Sequence, residues 1–280
     1  MDKSKNSTYI IAAVSLVIIV VAVYFLFVFQ KSPKQPKPDD KGGFVEDISK
    51  IEVAKRPYVT LTPTSDGAEI LISIENMNYF DKIEYELTYQ ADNPQVSGEK
   101  LERGSTGVDV NTKDAKYKKS ILLGTASKGT RSPDKGVADG KLTLHLFKGD
   151  TEYQSETPWD LLQEGAKATT IEDRSKKFAI NMPSLGKNYW IIIGETVGVA
   201  PNAEFDANKA VLPNYGAFSV APAFTKSAKV SIKISADVKS AELYSFDNKE
   251  EKWQKIDSTL QDSTVSASTN SLATFVVFAK

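Results

Sequence analysis

The chain contains no cysteine, a single histidine and four arginines among its 280 residues. The lack of cysteine excludes a disulfide framework and thiol catalysis, and one histidine is too few for a multi-histidine zinc site. An excess of one charge sign is also missing, because 35 basic and 36 acidic residues leave a net charge of −1. Such a chain has no strong field to gather nucleic acid. We expect no nucleic-acid partner, no cofactor and no metal.

One long hydrophobic run, residues 9–29, dominates the sequence. Its 21 residues include no charge, no proline and no glycine. As a helix it would be roughly 31 Å long, close to the thickness of a bilayer core. A helix is also the only single segment that satisfies its own backbone hydrogen bonds in lipid. We predict a short cytoplasmic tail (1–8), a transmembrane helix (9–29) and therefore the lipid bilayer as one partner.

The signs of a cleaved signal peptide are missing at the end of this run. A signal peptide has an apolar core of about 7–15 residues and then a small-x-small site, whereas here the exit is Phe27, Phe29, Gln30 and Lys31. We predict an uncleaved signal anchor. Lysines flank the run on both sides, so the positive-inside rule does not decide the orientation. The lack of cysteine and the short polar-faced strands favour a cell-membrane protein, single-pass, with its C-terminal domains extracytoplasmic.

Residues 30–43 are predicted to form a stalk. Pro33, Pro36 and Pro38 recur among lysines in this stretch. Prolines at this density favour the extended polyproline II conformation, which makes a linker semi-rigid. The stalk would hold the following domains away from the membrane surface.

Residues 44–165 are predicted to form a first β-sandwich domain. Apolar and polar side chains alternate with a period of two over 69–75, 82–90 and 140–148, which indicates half-buried antiparallel strands. Further candidate strands are 58–62, 118–125 and 152–156. At the end of this domain, Thr157 and Pro158 match the cap and first position of a helix. The sequence therefore predicts a short helical turn from Thr157, ended by Gly165.

Residues 166–280 are predicted to form a second β-sandwich domain. The candidate strands are 177–182, 188–194, 215–220, 228–235, 240–246, 252–256, 264–268 and 273–279. The run 198–214 lacks a strand pattern, and connections of that length are often functional or mobile. The predicted fold class is all-β, with two consecutive antiparallel, immunoglobulin-like β-sandwich domains behind one N-terminal transmembrane helix.

Residues 229–279 resemble the end of immunoglobulin-like modules found in bacterial surface proteins. In those modules a Tyr-x-Phe/Tyr-Asp … Trp strand pair precedes a Thr-Val strand and a final Thr-Phe-Val-Val strand. The matching residues are Tyr244, Phe246, Asp247, Trp253, Thr264, Val265, Thr274, Phe275, Val276 and Val277. The first domain is similar in general pattern to fibronectin-type and immunoglobulin-like sandwiches. The resemblance implies a spacer, adhesive or assembly role and transfers no functional residue.

Two patterns could supply a nucleophile or a base. His145 lies in an alternating strand on the face opposite the leucines, and no Gly-x-Ser-x-Gly elbow exists to complete a triad. Ser97 with Lys100 and Ser184 with Lys187 have the Ser-x-x-Lys spacing. That chemistry needs a helix to bring the two side chains together, but both copies include glycine and lie in turn-like surroundings. We expect neither pattern to be catalytic.

Two acidic patterns and a set of aromatic rings are further candidates for a functional site. Glu84 and Glu86 share a strand face and could form a carboxylate pair, although the alternation places that face in solvent. Residues 134–140 could offer oxygen ligands to calcium but lack its regular acidic spacing. Exposed rings could bind a protein or a glycan, although sandwich cores also use tryptophan. The rings concerned are Trp159, Tyr189, Trp190 and Trp253. We expect no catalytic, cofactor-binding or metal-binding residue.

Three functions remain open at this point. The first is a membrane-anchored, non-enzymatic protein of the cell envelope that acts in binding, adhesion or structural support, with a protein or glycan partner. The second is an accessory subunit of an envelope secretion or pilus-type assembly. The third is a hydrolase of serine–lysine or carboxylate type. The sequence favours the first.

Overall fold

The computed structural model describes residues 45–280. The predicted cytoplasmic tail (1–8), transmembrane helix (9–29) and stalk (30–43) lie outside the described residues. Within 45–280, no helix has the length and apolar character needed to cross a membrane.

The described chain contains twenty strands. In its first part these are β1 (Val45–Asp47), β2 (Tyr58–Pro63), β3 (Glu69–Glu75), β4 (Lys82–Asp92), β5 (Lys100–Val110), β6 (Lys116–Leu122), β7 (Gly124–Ser127), β8 (Thr130–Pro133), β9 (Ala138–Lys148) and β10 (Thr151–Glu164). In its second part they are β11 (Thr169–Glu172), β12 (Phe178–Met182), β13 (Tyr189–Thr196), β14 (Ala210–Phe218), β15 (Ala228–Lys233), β16 (Ala241–Asp247), β17 (Lys252–Ile256), β18 (Ser258–Gln261), β19 (Thr264–Thr269) and β20 (Thr274–Ala279).

The predicted all-β, antiparallel fold class is confirmed. Among the described residues the only helices are three 3-10 turns, Ile48–Lys50, Val53–Lys55 and Ala207–Lys209. Ten strands form the largest sheet: nine follow the order β17-β16-β20-β14-β13-β10-β9-β4-β5, and the tenth, β1, pairs with β10. A five-stranded sheet (β11-β12-β15-β19-β18), a three-stranded sheet (β2-β3-β6) and the β7–β8 hairpin complete the fold. Only the β1–β10 pair is parallel within 45–280.

The ten-stranded sheet is shared by two hydrophobic cores on its opposite faces. Ile192 of β13 belongs to the core under the three-stranded sheet, whereas its neighbours Ile191 and Ile193 belong to the core under the five-stranded sheet. Successive side chains of a strand point to opposite faces, so the two smaller sheets cover opposite sides of β13. The continuous apolar run in β13 is explained by this burial on both faces.

The boundary between the two predicted domains falls inside this arrangement. Residues 44–165 and 166–280 meet between β10 and β11, yet β10 pairs with β13 from Trp159 to Glu164. Residues 45–280 lie within one compact unit. The ten-stranded sheet therefore runs through both halves of the described chain.

The helical turn predicted from Thr157 is wrong. Residues 151–164 form the single strand β10, and the side chains of Ser155, Thr157, Trp159 and Leu161 are buried at every second position. A capping pattern is a weak local signal, and the tertiary burial of alternate residues overrides it. Pro158 is tolerated because the pairing of β10 with β13 begins one residue later, at Trp159.

The connection predicted over residues 198–214 is shorter in the structure, because part of it is a strand. Strand β14 begins at Ala210 and pairs with β20, with a bulge between Val211 and Tyr215 that accommodates Pro213. The part of the connection that precedes β14 is packed against the protein through Phe205, whose ring centre lies 4.3 Å from that of Phe278. Pro213 argued against a strand in the sequence, but a proline can lie at the bulge of a strand.

Most other predicted strands are confirmed within two residues at each end, but the sequence predicted no strand at β1, β5, β8, β11 or β18, of which β5 is the longest. Its sequence, KLERGSTGVDV, carries few apolar residues. Strand β5 is one of the two edge strands of the ten-stranded sheet, and most of its side chains are exposed. An exposed edge strand does not need an apolar stripe, so the alternation that reveals the other strands is absent.

Candidate functional site

His145 lies on the polar face of β9. Its neighbours Leu144 and Leu146 are fully buried, whereas the His145 side chain is 31 % exposed and its Nδ1 lies 2.7 Å from Glu152 Oε1. This partner on the next strand gives the imidazole a structural contact across β9 and β10. The predicted position opposite the leucines is confirmed.

The two Ser-x-x-Lys pairs form no serine–lysine hydrogen bond within the described residues. Lys100 Nζ donates to Asp92 Oδ1 at 2.7 Å and to Gly136 O at 2.8 Å. Ser184 Oγ donates to Ala166 O at 2.9 Å, and Lys187 Nζ lies 5.0 Å from the centre of the Tyr189 ring. The lysines have other partners, so neither pair is arranged as a nucleophile and its base.

The acidic candidates are engaged in ordinary surface contacts. Glu84 Oε1 pairs with Lys82 Nζ at 2.6 Å, and Glu86 is exposed on the same face of β4. In the 134–140 segment, Asp134 Oδ2 accepts a hydrogen bond from Tyr89 Oη at 3.0 Å. No group of three or more histidine, aspartate or glutamate side chains that could hold a metal ion occurs within 45–280.

The tryptophans pack into the protein. Trp159 is 2 % exposed, and Trp190 is partly buried against the same core. Trp253 donates from Nε1 to Pro201 O at 3.0 Å, and its ring lies 4.9 Å from that of Phe205. These contacts are those of structural residues and not of an exposed binding platform.

A cleft on the outer face of the three-stranded sheet has the properties of a binding site. Its volume is about 420 Å³, within the range of small-ligand sites. Alternate residues of β2, β3 and β6 form the floor, and the segments 217–223, 247–250 and 271–272 form the walls. Because the floor residues alternate along each strand, they all project from one face of the sheet.

Three polar residues lie side by side in the floor. Ser73 of β3 is directly opposite Thr60 of β2 and Lys118 of β6, so their Cβ atoms are roughly 5 Å apart. Ser73 is 7 % exposed, and its hydroxyl has no hydrogen-bond partner in the protein. A buried hydroxyl without a partner costs free energy.

The charged residues next to Ser73 in the floor already form ion pairs with each other. Glu75 lies opposite Lys116, and the Lys116 Nζ is 2.9 Å from Glu75 Oε1 and 2.7 Å from Glu251 Oε1. Burial opposes the charge on Lys116, but hydrogen bonds to Glu251 and Glu75 outweigh it and raise the pKa of this lysine. The hydrogen bond from Lys116 also lowers the pKa of Glu251. Lys116 and Glu251 therefore stay charged at neutral pH.

The wall opposite the floor is fixed by two contacts of Ala221. Its backbone N–H donates to Ser219 Oγ at 3.1 Å, and its carbonyl accepts from Lys249 Nζ at 2.8 Å. Lys249 and Lys118 form no ion pair with any carboxylate in 45–280, whereas Asp247 accepts the backbone N–H groups of Lys249 and Glu250. The cleft therefore carries two ammonium groups that lack a paired carboxylate.

Sequence reasoning did not find this cleft. The alternation in β3 places Leu71 and Ser73 on the face away from the core, and that face is expected to be solvent-exposed. The structure covers it instead with segments from more than 140 positions later in the chain. No local signal in the sequence marks the cleft, because the burial of Ser73 is a property of the tertiary structure.

No protein-family model and no curated protein sequence matches the chain significantly.

Proposed function

We propose that this protein is a membrane-anchored, non-enzymatic binding protein of the cell envelope. In this proposal residues 9–29 form the transmembrane anchor, residues 30–43 form the stalk, and the C-terminal part lies outside the cytoplasm as two consecutive immunoglobulin-like β-sandwich domains. The uncharged run of 21 residues and the resemblance of residues 229–279 to modules of bacterial surface proteins support this reading. The cleft on the three-stranded sheet would hold the partner.

The buried hydroxyl of Ser73 is the observation on which the proposal depends. It lies in the floor of the cleft without a hydrogen-bond partner, and buried polar groups in native proteins are nearly always satisfied. A bound partner that displaced the side chains covering this hydroxyl would supply the missing hydrogen bond. The lack of serine–lysine contact in the Ser-x-x-Lys pairs supports binding over hydrolysis.

The location is tested by protease treatment of intact and lysed cells. An antibody against the C-terminal strands reports whether residues 45–280 are cleaved. Digestion in intact cells, or after removal of an outer layer only, supports the extracytoplasmic placement. Protection until the inner membrane is broken would overturn it, and the protein would then be an intracellular scaffold.

Binding in the cleft is tested with a variant that fills it. Thr62 is half-buried in the floor, so Thr62→Trp would occupy part of the cleft. Thr170→Trp is the matched control because Thr170 is exposed on β11, away from the cleft. Full-length variants in detergent are incubated with separated glycan and protein fractions of the envelope. We expect Thr62→Trp alone to lose its bound fraction, provided that both variants keep the wild-type melting temperature.

The edge strand β5 favours a second candidate function. It is 11 residues long, mostly exposed, and paired on one side only among the described residues. Such an edge can accept a strand from another chain, as an accessory subunit of a secretion or pilus-type assembly would require. The size of the full-length protein in detergent distinguishes the candidates: a stable larger complex supports the second, and a monodisperse monomer supports the first.

A further inference from the structure

A short segment of the chain covers a group of aromatic rings on β16, β17 and β20. In this segment, residues 201–206 (the strap), the Phe205 ring centre lies 4.7, 4.9 and 4.3 Å from the ring centres of Tyr244, Trp253 and Phe278. We propose that the strap opens and that the three rings beneath it bind an aromatic side chain of a partner polypeptide in place of Phe205. This aromatic pocket shares no lining residue with the cleft and is independent of the ligand that the cleft holds.

The strap is held by few contacts. Within residues 201–205, the only backbone group that is hydrogen-bonded to the described chain is the Pro201 carbonyl, which accepts from Trp253 Nε1 at 3.0 Å. None of the strap residues is buried, and Asn202, Glu204 and Asp206 are exposed. A segment with few buried apolar contacts and a solvent-exposed backbone opens at a low cost in free energy. The strap therefore opens while the strands beneath it stay folded.

The rings beneath the strap are held in place by the sheet. Phe278 is 6 % exposed and belongs to β20, which pairs with β14 and with β16. Tyr244 Oη donates to Glu242 Oε2 at 3.1 Å, and the Trp253 ring centre lies 5.1 Å from that of Phe246. The pocket is thus formed before a partner arrives, and such preorganisation favours binding.

The ring geometry of the pocket favours an aromatic side chain as the ligand. The Phe205 ring is at 82° to the ring of Trp253, and at 51° and 54° to the rings of Tyr244 and Phe278. In edge-to-face and tilted contacts, the positive edge of one ring meets the negative face of another. A sugar ring has no π face to offer. Phe205 itself therefore shows which kind of group the pocket accepts.

The strand that carries Trp253 favours a polypeptide over a small aromatic molecule. Strand β17 is an edge strand of the ten-stranded sheet, and among the described residues it pairs with β16 only. The outer backbone groups of an edge strand can pair with a strand from another chain. A partner segment can thus combine backbone pairing to β17 with an aromatic side chain in the pocket, whereas a small molecule makes only the second contact.

Binding is tested by calorimetry on the full-length protein in detergent. The probe is a blocked peptide with the sequence of residues 200–209, and the same peptide with alanine in place of its phenylalanine is the matched control. Wild type should bind the probe weakly because its own Phe205 occupies the pocket. Phe205→Ala should bind the probe at least about tenfold more tightly, because the competing ring is gone and a larger fraction of the protein is competent to bind. The alanine peptide should bind neither protein.

Three further variants locate the site. Adding Trp253→Ala to Phe205→Ala should weaken probe binding at least about tenfold, because one wall of the pocket is lost. Phe147→Ala removes a half-buried ring of β9, outside the pocket, and should bind the probe as weakly as wild type. Phe205→Leu should lie between wild type and Phe205→Ala, and it replaces Phe205→Ala in the comparison if the alanine variant does not fold.

Opening of the strap is tested by limited proteolysis of the wild-type protein. Glu204 is exposed in the strap, and a protease cleaves a segment that opens locally before it cleaves the folded sheet. A glutamate-specific protease should therefore cut after Glu204 while Glu242 of β16 stays intact. An excess of the probe should accelerate this cut, because a bound peptide shifts the strap towards its open state.

Each part of the proposal has an outcome that overturns it. If folded Phe205→Ala does not bind the probe, or binds the alanine peptide equally well, the pocket does not take an aromatic side chain. If N-acetyl-phenylalanine amide binds as tightly as the probe, the ligand is not a polypeptide. If Glu204 resists cleavage until the whole protein unfolds, the strap does not open. Thr62→Trp should bind the probe as wild type does, so its capture of envelope fractions tests the proposed function separately.

Discussion

Tyr58 Oη lies 2.6 Å from Thr274 Oγ1, and this buried hydroxyl pair joins two strands whose residues are 216 positions apart in the chain. Tyr58 also donates to Asn248 Oδ1 at 2.7 Å. A phenol has one proton to donate, so Thr274 is the donor to Tyr58. Asn248 lines the cleft, and the network therefore connects the first strand of the three-stranded sheet to the cleft wall.

Removing the Tyr58 hydroxyl should destabilise the protein. Tyr58→Phe leaves the Thr274 hydroxyl buried without its acceptor, and we expect a loss of about 1–3 kcal/mol in the free energy of unfolding. Urea denaturation measures the change. Tyr79→Phe is the control, because the Tyr79 hydroxyl has no partner in the described chain and the residue is half-buried. Equal effects of the two substitutions would contradict the role of the network.

A methyl group at Gly140 should disturb the first core. Gly140 of β9 pairs with Trp159 of β10, and a Cβ at Gly140 would lie 2.3 Å from atoms of the Trp159 ring. Because backbone and indole would have to move apart, we expect Gly140→Ala to cost about 1–3 kcal/mol. Gly104→Ala, where the nearest atom is 3.3 Å away, should cost less. The urea midpoints of the two variants provide the comparison.

Glu242 should make stability depend on pH in acid. Its carboxylate lies 2.7 Å from Lys255 Nζ and 2.8 Å from Lys280 Nζ, and hydrogen bonds from Lys255 and then Lys280 lower the pKa of Glu242 from 4.5 to about 2. A lowered pKa contributes stability that is present above pH 4.5 and is lost as the pH falls towards 2.

We therefore expect Glu242→Gln to be less stable than wild type near neutral pH and equally stable below about pH 2. Denaturant titrations between pH 2 and 7 give the difference. Glu99→Gln is the control, because the Glu99 carboxylate forms no ion pair within 45–280 and the residue is exposed. A difference between Glu242→Gln and wild type that does not change with pH would rule out the ion pairs as its cause.

Glu195 should lower the stability of the protein as the pH rises, which is the opposite of the effect of Glu242. Burial, and then the negative charge of Asp173, raise the pKa of Glu195, while Lys177 partly offsets them. A carboxyl group with a raised pKa lowers stability as the pH rises from its unfolded value through its folded value. Glu195→Gln should therefore raise the melting temperature at neutral pH, and the gain should shrink in acid. A lower melting temperature at pH 7 would contradict this assignment.

The period-two alternation was a reliable guide where one face of a strand is buried. Strand β3 begins and ends at the predicted residues, because Ile70, Ile72 and Ile74 are each 0 % exposed. The local signal and the tertiary burial agree there. At β10 they disagree: Thr157 and Pro158 match a helix start, but the chain is buried at alternate positions through Leu161.

The sequence by itself determined that the described chain would be all-β and mostly antiparallel, because alternation and turn residues are read from neighbours along the chain. Only the tertiary structure decided that β10 pairs with β13 to build one shared sheet. It alone also decided that segments from the second half cover Ser73 and form a cleft. The physical reason is the range of the interactions. Strand periodicity is local, whereas the pairing of β10 with β13 joins residues 25–35 positions apart, and the segments that cover Ser73 lie more than 140 positions later in the chain.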